Sequence, residues 1–241
     1  LEGVVKHNGP LINRGKPTSE LPSAVVEYNA LHDLELHTYA SAEAQVAAIA
    51  DDVAYNNHDI DDGLRARLFS INDLADVPLV GPVFAEVKKA YPDLDESRII
   101  HVSVRRMIGE MVIDLLDETK TRLKDLNPKS PDDIRNGDTP IAGFSEIMRA
   151  NDAALKKFLF ENMYRHYKLN RMTSKAKRVV KELFKLLIRE PECLPAELQA
   201  KCKKNNSTDT ARVVADYIAG MTDRYALDEY QNLFDVQAKN S

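Results

Sequence analysis

Along most of the chain apolar residues return every three or four positions with charged residues between them, and strand-type alternation never persists for more than a few residues. The longest helical pattern runs from Glu96 to Leu126, where Ile99, Val102, Met107, Val112, Leu115 and Leu116 keep the spacing of one helix face. A shorter helix is predicted over Val80–Tyr91, with its stripe at Val80, Val83, Phe84 and Val87 and a stop at Pro92-Asp93-Leu94-Asp95. Ser41 is placed to cap a long helix whose first turn holds Ala42 and Glu43. Leu1–Asn8 reads as helix ended by Gly9-Pro10, residues 9–20 as a loop, Leu21–Leu36 as partly helical and 70–78 as a connector. Residues 127–143 hold Pro128, Pro131, Gly137, Pro140 and Gly143, the strongest boundary signal in the chain. Helices are then predicted near 144–168, 173–189, 194–203, 208–223 and 226–235. The fold class is all-α, with two regions, 1–126 and 127–241.

Composition supports that reading. Among 241 residues, 44% are hydrophobic and 29% charged, with nine Gly and no Trp, a mix that favours helices over turn-rich β architecture. The net charge of −5 excludes a global basic field for nucleic acid. Lys and Arg gather locally instead, between Arg165 and Arg189. Cys193 and Cys202 lack Cys-x-x-Cys spacing, so reduced thiols are expected. With no signal peptide and no apolar run of membrane-spanning length, a cytoplasmic location and no membrane partner are expected.

Chemistry concentrates in residues 43–67, EAQVAAIADDVAYNNHDIDDGLRAR. Asp51, Tyr55 and Asp59 stand four apart and would form one stripe on a helix, flanked by Asp52, His58, Asp61 and Asp62. Carboxylates clustered in this way repel one another unless a cation, a proton or a hydroxyl-rich ligand lies among them. The apolar surroundings of Asp51, from Val46 to Ala50 and at Val53, predict a packed helix and a partnered carboxylate.

The string ADDVAYNNHDIDDGLRA resembles the HD-domain deoxynucleoside triphosphate triphosphohydrolases, in their bacterial dGTPase-like branch. The likeness extends to EGVVKHNGPL, EYNALHDLELHTYASAEAQ, VRRMIGEMVIDLL, YRHYKLNRMTSKAKRVVKELF and DYIAGMTDRYALDEY, and so covers nearly the whole chain in order. It implies an HD-type helical bundle with a helical C-terminal extension, and release of deoxynucleoside and intact triphosphate by a metal-activated water. It also implies a divalent ion such as Mg or Mn, a deoxynucleoside triphosphate substrate (dGTP first) and a homo-oligomer. By the same resemblance Asp51 is a metal ligand, Tyr55 lies under the deoxyribose and Asp59 accepts from its 3′-hydroxyl. Lys6, His7, His101, Arg105 and Arg106 are the expected substrate-binding cations and imidazoles; His101 and Arg105 are four apart, suited to adjacent phosphates.

The chain begins without Met at Leu1-Glu2-Gly3, as if within a helix. The family's upstream His and His-Asp ligands have no matching context here. The sequence therefore predicts a fragment, inactive alone, with no catalytic residue of its own. Two other dipeptides spell His-Asp: His32-Asp33 and His58-Asp59. The first falls in a connecting stretch and the second overlaps the sugar-facing Asp59, so neither is expected to bind metal; His32 and His37, five apart, share no helix face. The basic and aromatic run Tyr164–Arg171 could line a nucleotide site, a subunit interface or a single-stranded DNA groove, or simply end a solvated helix. Two alternatives stand beside the triphosphohydrolase: a non-catalytic nucleotide-binding or oligomerisation module of the same fold, and an HD-type phosphohydrolase acting on another nucleotide.

Overall fold

The computed structural model describes residues 1–12 and 21–236. Most of the predicted loop over 9–20 therefore lies outside the described residues. Among the described residues every regular element is a helix, in agreement with the all-α expectation. The chain divides into two compact units, Leu1–Tyr164 and Arg165 onward.

The first unit contains α1 (Glu2–Val5), α2 (Ser23–Leu31), α3 (Ala42–Arg65), a 3-10 turn at Ile71–Leu74, α4 (Val80–Ala90), α5 (Glu96–Leu126), α6 (Pro131–Arg135) and α7 (Glu146–Leu159). A π-helical turn, Phe160–Tyr164, continues α7. Short polar side chains start the three helices that matter most. Ser41 accepts from the Ala44 N–H at 3.4 Å, Asp95 from Arg98 at 3.0 Å and Ser145 from Met148 at 3.2 Å. Helix α5 stops at Asn127, which takes left-handed angles (φ 45°, ψ 52°).

Helix α3 packs on α5 and α7, and α4 on α5. Their shared core holds Val53, Ile60, Val83, Phe84, Met107, Met111, Leu155 and Leu159. On α5 the buried stripe includes Ile100, Val104, Met107, Met111 and Leu115. The expected core positions Val112 and Leu116 are instead 39% and 50% exposed. Each follows a buried residue by one position, a rotation of ~100° about the axis that turns it to solvent. Gly63 is required by packing, since a Cβ there would lie 2.3 Å from the Phe69 ring. The stretch 127–143 lies within this unit and is tied to it. Gln45 Oε1 accepts from the N–H groups of Ile141 and Ala142 at 2.8 and 3.3 Å, and Arg122 donates to the Pro140 and Phe144 carbonyls at 3.0 and 3.1 Å.

The second unit holds α8 (Tyr167–Arg189), a 3-10 turn at Pro191–Cys193, α9 (Ala196–Gln199), α10 (Thr208–Ala219) and α11 (Asp223–Phe234). Its core is small: Leu187, Leu194 and Val214, with Phe184, Leu198 and Ile218 partly buried against them. The helix expected over 194–203 is confined to Ala196–Gln199. Beyond it the Lys203 N–H and the Lys204 carbonyl both bond the Thr210 hydroxyl, which folds the chain into the start of α10. Cys193 and Cys202 are free thiols. No described helix is long and apolar enough to cross a membrane.

Candidate functional site

Steps of four residues advance a helix by ~400°, so the stripe Asp51–Tyr55–Asp59 drifts ~80° around α3 along its length. That drift separates its ends. Asp51 is exposed, Tyr55 is 58% exposed, and Asp59 is only 9% exposed. The expectation that apolar neighbours bury Asp51 fails. Val53, Asn56, Asn57, Ile60 and Leu64 take the core face of α3, whereas Ala47, Ala48, Asp51 and Asp52 line an open cavity of about 800 Å³.

Helix α1 and the residues flanking it line the same cavity, through Leu1, Gly3, Val4, His7 and Asn8. The approach is close, for a Cβ on Gly3 would lie 2.8 Å from the Ala44 Cβ. Both His7 ring nitrogens have partners, Nδ1 with the Val4 carbonyl at 2.7 Å and Nε2 with the Asn8 amide at 2.9 Å. Lys6 is elsewhere. It is 1% exposed, and its ammonium meets Glu2 Oε1 at 3.0 Å, Thr38 Oγ1 at 2.8 Å and the Glu35 carbonyl at 3.2 Å. An ammonium has three donors, and these partners occupy them all. Burial opposes ionisation of Glu2, but Lys6 and Arg135 outweigh it and hold that carboxyl below its ordinary value.

At the buried end of the stripe the Tyr164 hydroxyl donates to Asp59 Oδ2 in a short contact across 105 residues of sequence. The π-helical turn delivers Tyr164, because i→i+5 bonding shifts the phase of the residues that follow α7. Burial lifts the Asp59 carboxyl above its ordinary value; the Tyr164 bond opposes this, and repulsion from Asp62 adds to it. The Tyr164 phenol is raised well above normal, first by burial, then by Asp59 and by the hydroxyl of Tyr55. Asp59, Tyr55 and Tyr164 therefore form one cluster with a single buried carboxylate.

Between the two ends lies a set that sequence reasoning did not identify. Lys156 of α7 is 3.0 Å from Asp52 and 2.9 Å from Asp152, and the Asn56 amide donates to Asp152 at 3.0 Å. Burial lowers the Lys156 pKa, but the bonds and charges of Asp152 and Asp52 together outweigh it and the net shift is upward. The only local signal is an Asp152/Lys156 pair at i,i+4, which is ordinary on any helix. Asp52 is 104 residues from Lys156 in sequence, beyond the reach of periodicity.

The expected cations of α5 stand apart from this constellation. His101 and Arg105 are exposed, and Arg106 pairs with Glu86 and with Glu110 at 3.3 Å. Among the described residues none of the three bonds to Asp51, Tyr55 or Asp59. The run Tyr164–Arg171 is divided: Tyr164 ends the first unit, while His166 accepts from the Lys168 N–H at 3.3 Å and starts α8. His32 ends α2, Asp33 accepts from the Glu35 N–H at 2.9 Å, and His58 is exposed.

A divalent ion needs several converging donors. Among the described residues no group of three or more His, Cys, Asp or Glu side chains could hold one. Asp51 and the hydrogen-bonded His7, which line the same cavity, do not make such a site.

Comparison with known proteins gives consistent results. Residues 142–232 match the phosphohydrolase-associated domain. Over 98% of its length the chain is 55% identical to a deoxyguanosinetriphosphate triphosphohydrolase-like protein of Parvibaculum lavamentivorans, of which it covers 60%. It is 50% identical over 100% of its length to the protein of that name from Caulobacter vibrioides, again covering 60%. For the Brucella suis protein the identity is 45% over 98% of the chain, covering 59%.

Proposed function

Because this chain belongs to the deoxyguanosinetriphosphate triphosphohydrolase-like proteins and spans about 60% of their length, we propose that it forms the sugar- and phosphate-facing side of an enzyme that hydrolyses a deoxynucleoside triphosphate. The products are the deoxynucleoside and triphosphate, and dGTP is the first substrate to test. The observation that carries this reading is the Asp59–Tyr164–Tyr55 cluster, whose Tyr55 and Asp59 share α3 with the open Asp51–Asp52 end.

In this reading Asp59 holds the sugar. Tyr164 takes Oδ2, which leaves Oδ1 to accept from a 3′-hydroxyl. The exposed ring of Tyr55 lies beside it, where it can stack against a deoxyribose and collide with a 2′-hydroxyl. Lys156 stands against Asp52 one turn nearer the open cavity and is the cation we assign to the phosphates. His7 and Asp51 both line that cavity; Asp51 is assigned as one of several ligands of a divalent ion whose other ligands lie outside this chain. That ion would supply Lewis-acid activation of water. Lys6, with every donor occupied, serves structure in this arrangement, and Arg106 serves its two ion pairs.

The test is release of triphosphate and deoxyguanosine from dGTP by the whole protein, beside residues 1–241 alone. Metal-dependent release by the whole protein and none by the shorter chain is expected, since one exposed carboxylate cannot hold a divalent ion. A whole protein that binds dGTP without cleaving it would instead be a non-catalytic nucleotide-binding module.

A further inference from the structure

We infer that Asp152 is a positioning residue for the triphosphate: it fixes the Lys156 ammonium beside Asp52, at the open end of α3. The inference rests on the assignment of Lys156 to the phosphates made above. A lysine on a flexible four-carbon stem reaches many positions, and ordering it has an entropic cost, so what restrains it decides where its charge stands. Two carboxylates restrain Lys156, at 2.9 Å (Asp152) and 3.0 Å (Asp52).

The two restraints are unequal. The Asp52 side chain is 61% exposed, whereas that of Asp152 is 12% exposed. Asp152 is also anchored from a second direction by the Asn56 amide at 3.0 Å, which ties it to α3. Its position is thus built into the packing of α7 on α3, and that of Asp52 is not. An exposed ion pair is weak and screened. A triphosphate, with several charges on one ligand, can displace Asp52 from Lys156 while Asp152 keeps the ammonium in place. Asp52 then acts as the occupant of the phosphate position in the absence of ligand, and Asp152 as the fixed support.

The experiment uses the whole protein and compares the dissociation constants of inorganic triphosphate and of deoxyguanosine, with KM, kcat and Tm for dGTP hydrolysis alongside. Asp152→Asn keeps the shape and removes the charge. It should weaken triphosphate binding about tenfold, the scale seen when the support of a ligating group is lost, and raise KM more than it lowers kcat. Deoxyguanosine affinity should change less than about twofold. Asn56→Ala leaves the ion pair but frees Asp152; a smaller loss in the same direction is expected, and this variant decides the matter if Asp152→Asn does not fold. Equal losses for both ligands, or none for triphosphate, would overturn the inference by making Asp152 a packing residue. Lys156→Gln separates the two layers. If it leaves triphosphate affinity unchanged, the phosphate role of Lys156 falls and the inference with it; if it weakens binding while Asp152→Asn and Asn56→Ala do not, only the inference falls.

Discussion

The two ends of α3 present the same functional group in opposite surroundings. Asp51 stands in solvent on the wall of an open cavity, and Asp59, two turns on, lies beneath the Tyr164 hydroxyl. A carboxylate in water is free to exchange partners, whereas one taken from water must be bonded or give up its charge. One helix thus carries a carboxylate open to solvent at one end and a bonded one at the other. The difference arises from ~80° of helical drift, and from the Tyr164 hydroxyl, which caps Asp59.

If that contrast is correct, the largest effect belongs to the open end. Asp51→Ala in the whole protein should lower kcat/KM for dGTP by about 10³-fold or more, the scale of several kcal/mol of lost charge stabilisation. It should leave Tm nearly unchanged, because the side chain is exposed. Calorimetry and a triphosphate assay on one preparation check both halves. Retained activity with a lowered Tm would reverse the assignment of the two ends.

At the middle of the stripe, Tyr55→Ala should raise the ratio of GTP to dGTP hydrolysis by about tenfold to a few hundredfold, or ~1–3 kcal/mol of relative transition-state binding. An unchanged ratio with an intact fold would make Tyr55 a bystander and place sugar selection elsewhere. At the buried end, Tyr164→Phe removes the donor to Asp59 and should cost ~1–3 kcal/mol of stability, as for a carboxylate that loses a buried partner. Urea denaturation would measure it, and a cost below ~0.5 kcal/mol would show that the pair adds little to the fold.

The smallest effect sharpens the contrast through pH. The Asp59 carboxyl is raised in the folded protein, so its protonation favours the folded state. That contribution is complete below the ordinary carboxylate value and is lost as pH rises through the raised one. Asp59→Asn cannot ionise, so its Tm relative to the parent should climb as pH rises from the ordinary carboxylate value through the raised one. A difference that is flat with pH, or that falls, would mean that the Tyr164 bond outweighs burial.

Much of the fold was readable from local pattern because local physics sets it. The bounds of α5 and the Ser41 cap follow from periodicity and from a hydroxyl before an Ala-rich turn. Val112 and Leu116 show the limit: hydrophobicity gives the spacing, but which ~100° sector faces inward depends on where α3 and α4 lie. The site divides in the same way. Asp51, Tyr55 and Asp59 stand out as a group in sequence. Their different exposures do not, and nothing local connects Asp59 to Tyr164 or Asp52 to Lys156.

What the sequence by itself determined is an all-helical chain, its likeness along nearly its whole length to deoxyguanosinetriphosphate triphosphohydrolase-like proteins, and a helix loaded with carboxylates around one phenol. Helical propensity, capping and a long ordered likeness are all properties of neighbouring residues. Only the tertiary structure decided that Lys6 is enclosed by Glu2, Thr38 and Glu35, that Asp59 is roofed by Tyr164, and that Lys156 reaches Asp52. The physical reason is that burial and charge pairing depend on which helices meet, and that is settled by packing between residues distant in sequence.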